Sequence, residues 1–527
     1  MRQRQPRDRL AQHWPLFVAL FVFVLLLLGT LRAYLPQTGG RFIYALDDAY
    51  IQMAIAKNLA VHGLWGVTPY AFSGAGSSLL WPLILAGVER VFGRHEISAL
   101  VLNVAGAAAL LAAVYAIAKR YVPSRWAQLG VPVLVTIGAP LSVLAVIGME
   151  HTLQSAIALS VAFAGVRAFR AADVRERHQW SAWLLIGALL ATAIRYETAA
   201  VLVGLAVVGL ASGAWRIVIA LCGAGAIPPL TYAFIAWRHD WPPLPSSVLI
   251  KAQLSEGALH QIRESPVLGA LLVLGLVQLA KHVWSPRSRP WREPEALVAV
   301  FVVAALIHVQ FGLTGIATLY RYEAYLVVLG IVANAAALAE HLRAAKPLRS
   351  SVFNTRTALT AILVCVLLYQ CDIDTREAVD TAAWVYRSSY QVGLFLRHHP
   401  QPGTPMLSAI GPTTYLNDVQ ILDLDGLANI DVTRSIRAGT FDVTAVARAA
   451  RLHDGRMAAV QTLGTPIPTA WLCVAQWRDV VDQGTTFFYA LDPRDATALA
   501  ADLAAFDSAL PDRVTRIPRR CERNDTP

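Results

Sequence analysis

Apolar runs separated by short basic gaps fill about the first 370 positions, after which the pattern changes to brief alternating segments. The first run, 15–34, holds Phe17-Val18-Ala19-Leu20 and Leu25-Leu26-Leu27-Leu28. It is too long for a signal-peptide core and no small-residue cleavage site follows, so it reads as a retained span. Further spans are expected at 97–118, 127–147, 152–166, 181–194, 198–210, 217–236, 267–279, 296–310, 324–338 and 359–369. The run 79–92 is short and carries Glu89 and Arg90. A charged residue at a helix centre costs roughly 2.5–3.5 kcal/mol, so this run is expected to lie along the membrane or re-enter it rather than cross.

The gaps test that choice. With 79–92 left out, Lys119/Arg120/Arg125, Arg167/Arg170/Arg175/Arg177, Lys281/Arg287/Arg289/Arg292 and Arg343/Lys346/Arg349/Arg356 all fall on one side. That side also holds Arg2, Arg4, Arg7 and Arg9 and is the cytoplasmic one by the positive-inside rule. If 79–92 crossed, the four later clusters would all fall on the opposite side. The N-terminus is therefore expected in the cytoplasm and the tail outside.

The tail reads as helix 381–397, strand 405–409, helix 412–416, strand 419–424, helix 443–448, strands 471–474 and 485–491, and helix 495–503. The expected fold is a mainly α polytopic membrane protein of about eleven transmembrane helices with a C-terminal extracytoplasmic α/β domain. Its parts would be a membrane module, 1–371, with juxtamembrane helices in a first outer loop at 36–96, and a soluble domain, 372–527.

Composition agrees with this: 56% of residues are hydrophobic and only 15% charged, which excludes an ordinary soluble domain. The formal net charge of +10 does not point to nucleic acid, because the Lys and Arg residues sit in the gaps between spans. No Walker loop or GxGxxG fingerprint precedes a helix, so no nucleotide cofactor is expected. No cysteine pair has CxxC spacing, which argues against a zinc site, while Cys473 and Cys521 of the tail are candidates for a disulfide.

The candidate chemistry starts at Asp47-Asp48, at the head of an expected amphipathic helix, 49–62, with Ile51, Ala54, Ile55 and Leu59 on one face and Gly63 as its stop. An aspartate caps a helix well, but one is enough to cap, and a second points to chemistry. The same outer side carries Lys57, Glu150-His151, Arg195-Tyr196-Glu197, the stretch 241–247 followed by Lys251, and Arg321-Tyr322. Taken singly, these read equally well as a solvated loop, an interfacial ion pair, or cations that snorkel. Gathered on the face opposite the basic loops, they read as a site. Paired carboxylates with several cations suit transfer from a phosphate-activated lipid. A carboxylate takes the acceptor's proton, and cations, with or without a metal, stabilise the departing phosphate.

Several of these stretches carry a family resemblance. Asp47-Asp48-Ala49-Tyr50-Ile51, Ala56-Lys57-Asn58-Leu59-Ala60 and Ser77-Ser78-Leu79-Leu80-Trp81-Pro82 resemble the first outer loop of GT-C fold glycosyltransferases that use polyprenyl-phosphate sugars. Gly148-Met149-Glu150 is similar to the family's second-loop acidic motif, the stretch from Leu244 through Ser247 to Lys251 to its Leu-Pro-Asn segment, and Arg321-Tyr322 to its later Arg-Tyr motif. Ser408-Ala409-Ile410-Gly411 and Ile421-Leu422-Asp423-Leu424-Asp425-Gly426-Leu427 resemble the outer domain of the branch containing actinobacterial arabinofuranosyltransferases and mannosyltransferase-like enzymes. The chain departs from the pattern with Tyr196 in an Arg-Pro-Glu position, Ser246 in place of Asn, and Gly312-Leu313-Thr314-Gly315 where Gly-Gly-Asp is common.

The resemblance implies a bacterial inner-membrane, multi-pass glycosyltransferase with Asp47 as general base and Asp48 supporting it. Asp48 and Glu150 would hold a divalent metal (Mg, Mn or Ca) if one takes part, and Lys57, Arg195, Lys251, Arg321 and Tyr322 would face the lipid phosphate. The donor would be a polyprenyl-phosphate sugar and the acceptor a cell-envelope glycan, lipid or protein, with inversion at the anomeric carbon and the tail helping to hold the acceptor. The alternatives are a lipid-linked sugar flippase or transporter, which would carry charges near the bilayer midplane, and a glycan polymerase.

Overall fold

The computed structural model describes residues 12–251, 265–283, 291–310, 319, 321–344, 350–461, 464–480 and 484–518. Contacts divide the chain into two compact units. One comprises Met1–Leu31, Leu100–Thr231 and Ala252–Ala378, the other Arg32–Ala99, Tyr232–Lys251 and Val379–Pro527. The second unit groups the first loop region and the stretch up to Lys251 with the tail.

The first unit is helical. Among the described residues, six helices of the chain are long and apolar enough to cross a membrane: Trp14–Thr38, Ser98–Tyr121, His151–Arg170, Trp215–Arg238, Glu293–Gln310 and Ala324–Arg343. Arg125–Gly138 and Leu141–Ile147 together pass the same measure but are bent by 43° where Pro140 interrupts the helical hydrogen bonds, and they form either a broken seventh span or a re-entrant loop. The other expected spans are helical but do not meet the same measure. Tyr196–Ala211 and Pro266–Ala280 are short, and Val174–Ile194 opens on Arg175, Glu176 and Arg177. The segment 359–369 belongs to the helix Ser350–Arg387, whose side chains are described only from residue 364. Small residues let these helices approach closely: a Cβ on Gly204 would stand 2.6 Å from the carbonyl oxygen of Val300.

The second unit is built on a six-stranded mixed sheet of order β2-β1-β3-β5-β4-β6. The strands are β1 Thr404–Leu407, β2 Leu422–Asp423, β3 Gly455–Val460, β4 Leu472–Asp479, β5 Thr485–Ala490 and β6 Val514–Pro518. β1 runs parallel to both β2 and β3, and the other pairs are antiparallel. Alternation along the strands divides the apolar side chains between two faces. Leu407, Met457 and Ala459 face a core with Phe395, Trp477, Phe488 and Leu503, whereas Met406, Ala458 and Val460 face one with Leu422, Val446 and Tyr489. Ile51 and Ile55 belong to the first of these cores. The stretch 79–92 forms the helix Leu80–Phe92, whose 13 residues rise only about 20 Å against a hydrocarbon thickness of about 30 Å. Cys473 is disulfide-bonded, and Cys521, its expected partner, lies outside the described residues.

Candidate functional site

In the second unit, Asp47 and Asp48 are the first two residues of the helix Asp47–His62, which ends on Gly63 with φ +66°. The residue in the capping position is Leu46, so the capping role that the sequence leaves open for an aspartate is not the one seen. In the first turn both carboxylates still gain from the helix dipole. The helix is buried on every side from Ala49 to Asn58, unlike the amphipathic helix expected from its pattern, while Asp47 and Asp48 remain partly exposed. Its polar positions are covered as well as its apolar face. Gln52 donates to Ser77 Oγ at 2.9 Å, and Asn58 donates to the carbonyl of Gly66 at 2.8 Å.

Lys57 is also taken up by the fold. Its Nζ donates to the carbonyls of Thr414 (2.8 Å), Tyr415 (3.2 Å) and Asn417 (2.8 Å), and it pairs with Asp418 at 2.8 Å. An ammonium has three donor hydrogens, and these four acceptors leave none for a lipid phosphate. Burial lowers its pKa, and the hydrogen bond and charge of Asp418 oppose that shift. The three carbonyls close the helix Gly411–Leu416, whose other end meets Asp47. A Cβ on Gly411 would stand 2.2 Å from the Asp47 carbonyl oxygen and 2.8 Å from its carbon.

The loop after β2 completes this region. The Asp423 carboxylate accepts from the backbone N–H groups of Asp425 (2.9 Å), Leu427 (2.5 Å) and Ala428 (2.7 Å). Thr433 Oγ donates to the carbonyl of Gly426 at 2.6 Å, and Ser246 Oγ to that of Leu427 at 2.5 Å. Asp425 lies within electrostatic reach of Asp423 and Asp47. Burial raises its pKa, and the charges of those two carboxylates add to the shift. Three backbone donors favour the charged form of Asp423, so within this pair Asp425 keeps the proton.

The first unit holds a separate polar cluster. The helix Val174–Ile194 ends at Arg195, whose extended backbone (φ −160°, ψ 138°) leads into the 3₁₀ turn Tyr196–Thr198. That break lets Arg195 and Glu197, two positions apart, face each other. Arg195 donates through Nε and Nη2 to the two Glu197 carboxylate oxygens (3.1 and 2.8 Å) and through Nη1 to Glu150 Oε1 (2.7 Å). Glu150 is fully buried and Arg195 only 4% exposed. The Tyr322 ring lies beneath two guanidinium groups, with Arg195 at 5.2 Å and Arg321 at 4.8 Å. Tyr325 donates to the carbonyl of Glu197 at 3.0 Å, and His308 Nδ1 lies 3.1 Å from the Tyr325 hydroxyl.

Of the residues singled out in the sequence, Glu150, Arg195, Arg321 and Tyr322 thus come together in the first unit, and Asp47, Asp48 and Lys57 belong to the second. Lys251 ends the helix Ser246–Lys251 with its side chain outside the described residues, as is the stretch 312–315. Among the described residues no three His, Cys, Asp or Glu side chains are arranged to hold a metal ion. The sequence reading missed Gly411, Asp425, His308 and Tyr325 as site residues. The first two lie in stretches that carried the family resemblance. His308 and Tyr325 sit inside apolar runs, where nothing local distinguishes them.

Residues 379–495 match a family described as a domain of unknown function (DUF8728). No curated protein matches the chain in sequence. Among solved structures, ArnT from Cupriavidus metallidurans bound to undecaprenyl phosphate aligns with a TM-score of 0.53 at 12% identity, over 89% of this chain and 98% of that one. The apo state of the same enzyme aligns at 0.50 and 14%, over 90% and 98%. An oligosaccharyltransferase from Archaeoglobus fulgidus, in complex with zinc and sulfate, aligns at 0.48 and 12%, over 94% and 75%. The likeness to ArnT shows that this multi-pass membrane protein has the GT-C fold.

Proposed function

We propose that the protein transfers a sugar from a polyprenyl-phosphate donor to an extracytoplasmic glycan, lipid or protein acceptor, with inversion and with Asp47 as general base. One observation carries the reading: Asp47 and Asp48 stay partly exposed at the head of a helix whose next ten residues, 49–58, are buried. The GT-C fold supports it, as does the similarity to ArnT, an enzyme whose structure holds undecaprenyl phosphate. In the reaction the Asp47 carboxylate accepts the proton of an acceptor hydroxyl. The freed oxygen attacks the anomeric carbon opposite the phosphate, the bond from that carbon to the phosphate oxygen breaks, and polyprenyl phosphate leaves with the electron pair.

Asp48 supports the base from the same first turn of the helix. Arg321 and Lys251 keep the phosphate-binding role that the family resemblance implies, whereas Arg195 is held between two carboxylates. The termini follow the charge pattern, with the N-terminus cytoplasmic and the sheet unit outside.

The test is complementation of a deletion strain, with surface glycans and lipid-linked sugars read by mass spectrometry. Asp47→Asn, expressed at normal level, is expected to leave the sugar missing from the acceptor and its donor accumulating. Unchanged glycan in both Asp47→Asn and Asp48→Asn strains would sink the proposal.

A further inference from the structure

We infer that the segment of unknown function, 379–495, is the clamp that positions Asp47 for transfer, and that Gly411 is its positioning residue. The inference rests on the reading of Asp47 as the base. The helix Gly411–Leu416 lies against the helix Asp47–His62 and is fastened to it at both ends. At one end the carbonyls of Thr414, Tyr415 and Asn417 close on Lys57. At the other, Gly411 abuts the backbone of Asp47, and between them the rings of Tyr50 and Tyr415 pack at 5.9 Å. Ile51, Ile55 and Ile410 then bury themselves in one core with the sheet.

The contact at Gly411 leaves no slack. An added Cβ would stand 2.2 Å from the Asp47 carbonyl oxygen, 2.8 Å from its carbon and 3.0 Å from its Cβ. These are mostly backbone atoms, so no side-chain rotation relieves the overlap, and Asp47 or the helix Gly411–Leu416 has to move by about 1 Å. A displacement of that size costs about 10²-fold in rate where a reacting group must be aligned. The same segment supplies the second arm of the clamp. The loop after β2 is fixed by the three bonds to Asp423 and by Thr433 and Ser246, and it holds Asp425 within electrostatic reach of Asp47. A domain serving only to bind acceptor would have no need of an interlock with the backbone of the base.

The test compares Gly411→Ala, Asp47→Asn and the natural chain, all full length. Transfer is read as surface glycan in the complemented deletion strain. Folded protein is read by thermal melting in nanodiscs, and lipid binding by titration with undecaprenyl phosphate. Gly411→Ala is expected to lower transfer about 100-fold while undecaprenyl phosphate binding and folded protein stay within about twofold of the natural chain. Full transfer by Gly411→Ala beside an inactive Asp47→Asn overturns the inference alone. A loss that only tracks folded protein or lipid binding also overturns it. An active Asp47→Asn overturns the proposed reaction itself. If Gly411→Ala does not fold, Ser246→Ala is read by the same criteria. It removes only the hydroxyl that holds Leu427 and is expected to lower transfer several-fold, and normal transfer by that variant overturns the inference.

Discussion

Replacing Lys57 by Met separates two roles for one cation. If Lys57 met the donor phosphate, as the sequence suggests, the change would weaken lipid binding and spare the fold. The structure leads to the opposite result. Lys57 Nζ is held by three carbonyls and Asp418, and the side chain is 4% exposed. Each hydrogen bond to a charged group contributes about 1.5–3 kcal/mol, against which stands the penalty for burying the ammonium. Losing the ammonium leaves its buried carbonyl acceptors without a donor, at about 1–3 kcal/mol. That is a shift of about 5- to 160-fold in the equilibrium that holds the helix Gly411–Leu416 in place. The exposed partner contributes little of this: Asp418 is 64% exposed, and Asp418→Asn is expected to cost under about 1 kcal/mol. Thermal melting and limited proteolysis in nanodiscs, alongside undecaprenyl phosphate titration, read the two outcomes. A Lys57→Met protein that melts like the natural chain yet binds the lipid phosphate at least tenfold more weakly would refute this reasoning.

Two further changes probe the rest of the framework. Arg195→Ala leaves Glu150 and Glu197 buried without their shared guanidinium and is expected to cost about 3–5 kcal/mol, while Arg195→Lys, lacking the fork, recovers only part of the folded yield; equal melting temperatures for all three proteins would count against it. Burial raises the pKa of Glu89 to about 7, with Arg94 and Lys57 opposing the shift. The folded state then binds its proton more tightly than the unfolded chain, so this contribution to stability is complete below about pH 4.5 and is lost as the pH rises through 7. Glu89→Gln is expected to flatten that slope, as measured by melting between pH 4 and 8.

The first-loop helix was legible because its signals are local: an acidic start, helical spacing of Ile51, Ala54 and Ile55, and Gly63 at the end. What hid was the second covering layer. Lys57 looks like a surface cation until the helix Gly411–Leu416, which is remote in sequence, supplies its acceptors. In the tail, β1, β4, β5 and the helices near 443 and 496 carry recognisable apolar patterns. The strand Gly455–Val460 did not, since Met457, Ala458 and Ala459 have little strand preference and are ordered by their neighbours β1 and β5. The helix Ile430–Arg437 and the strand Val514–Pro518 are short and polar, and gain their form from Asn429 as a cap and from pairing with β4. In the membrane unit the acidic and Arg-Tyr motifs were visible, and an interfacial Arg195–Glu197 pair was among the readings, but the geometry that joins Arg195 to Glu150 as well was not. It depends on a break in the helix that spacing alone does not reveal.

The contact between Lys57 and Thr414 joins positions 357 residues apart. Synthesis proceeds from the N-terminus, so the helix that bears Asp47 is made early and waits for nearly the last quarter of the chain. Closing so long a loop is slow, and its reward comes only at docking. A nascent or truncated chain therefore has its membrane helices before Asp47 is secured. The fastening of this helix is timed by the last-made segment, and in an unfinished chain its head stays unclamped.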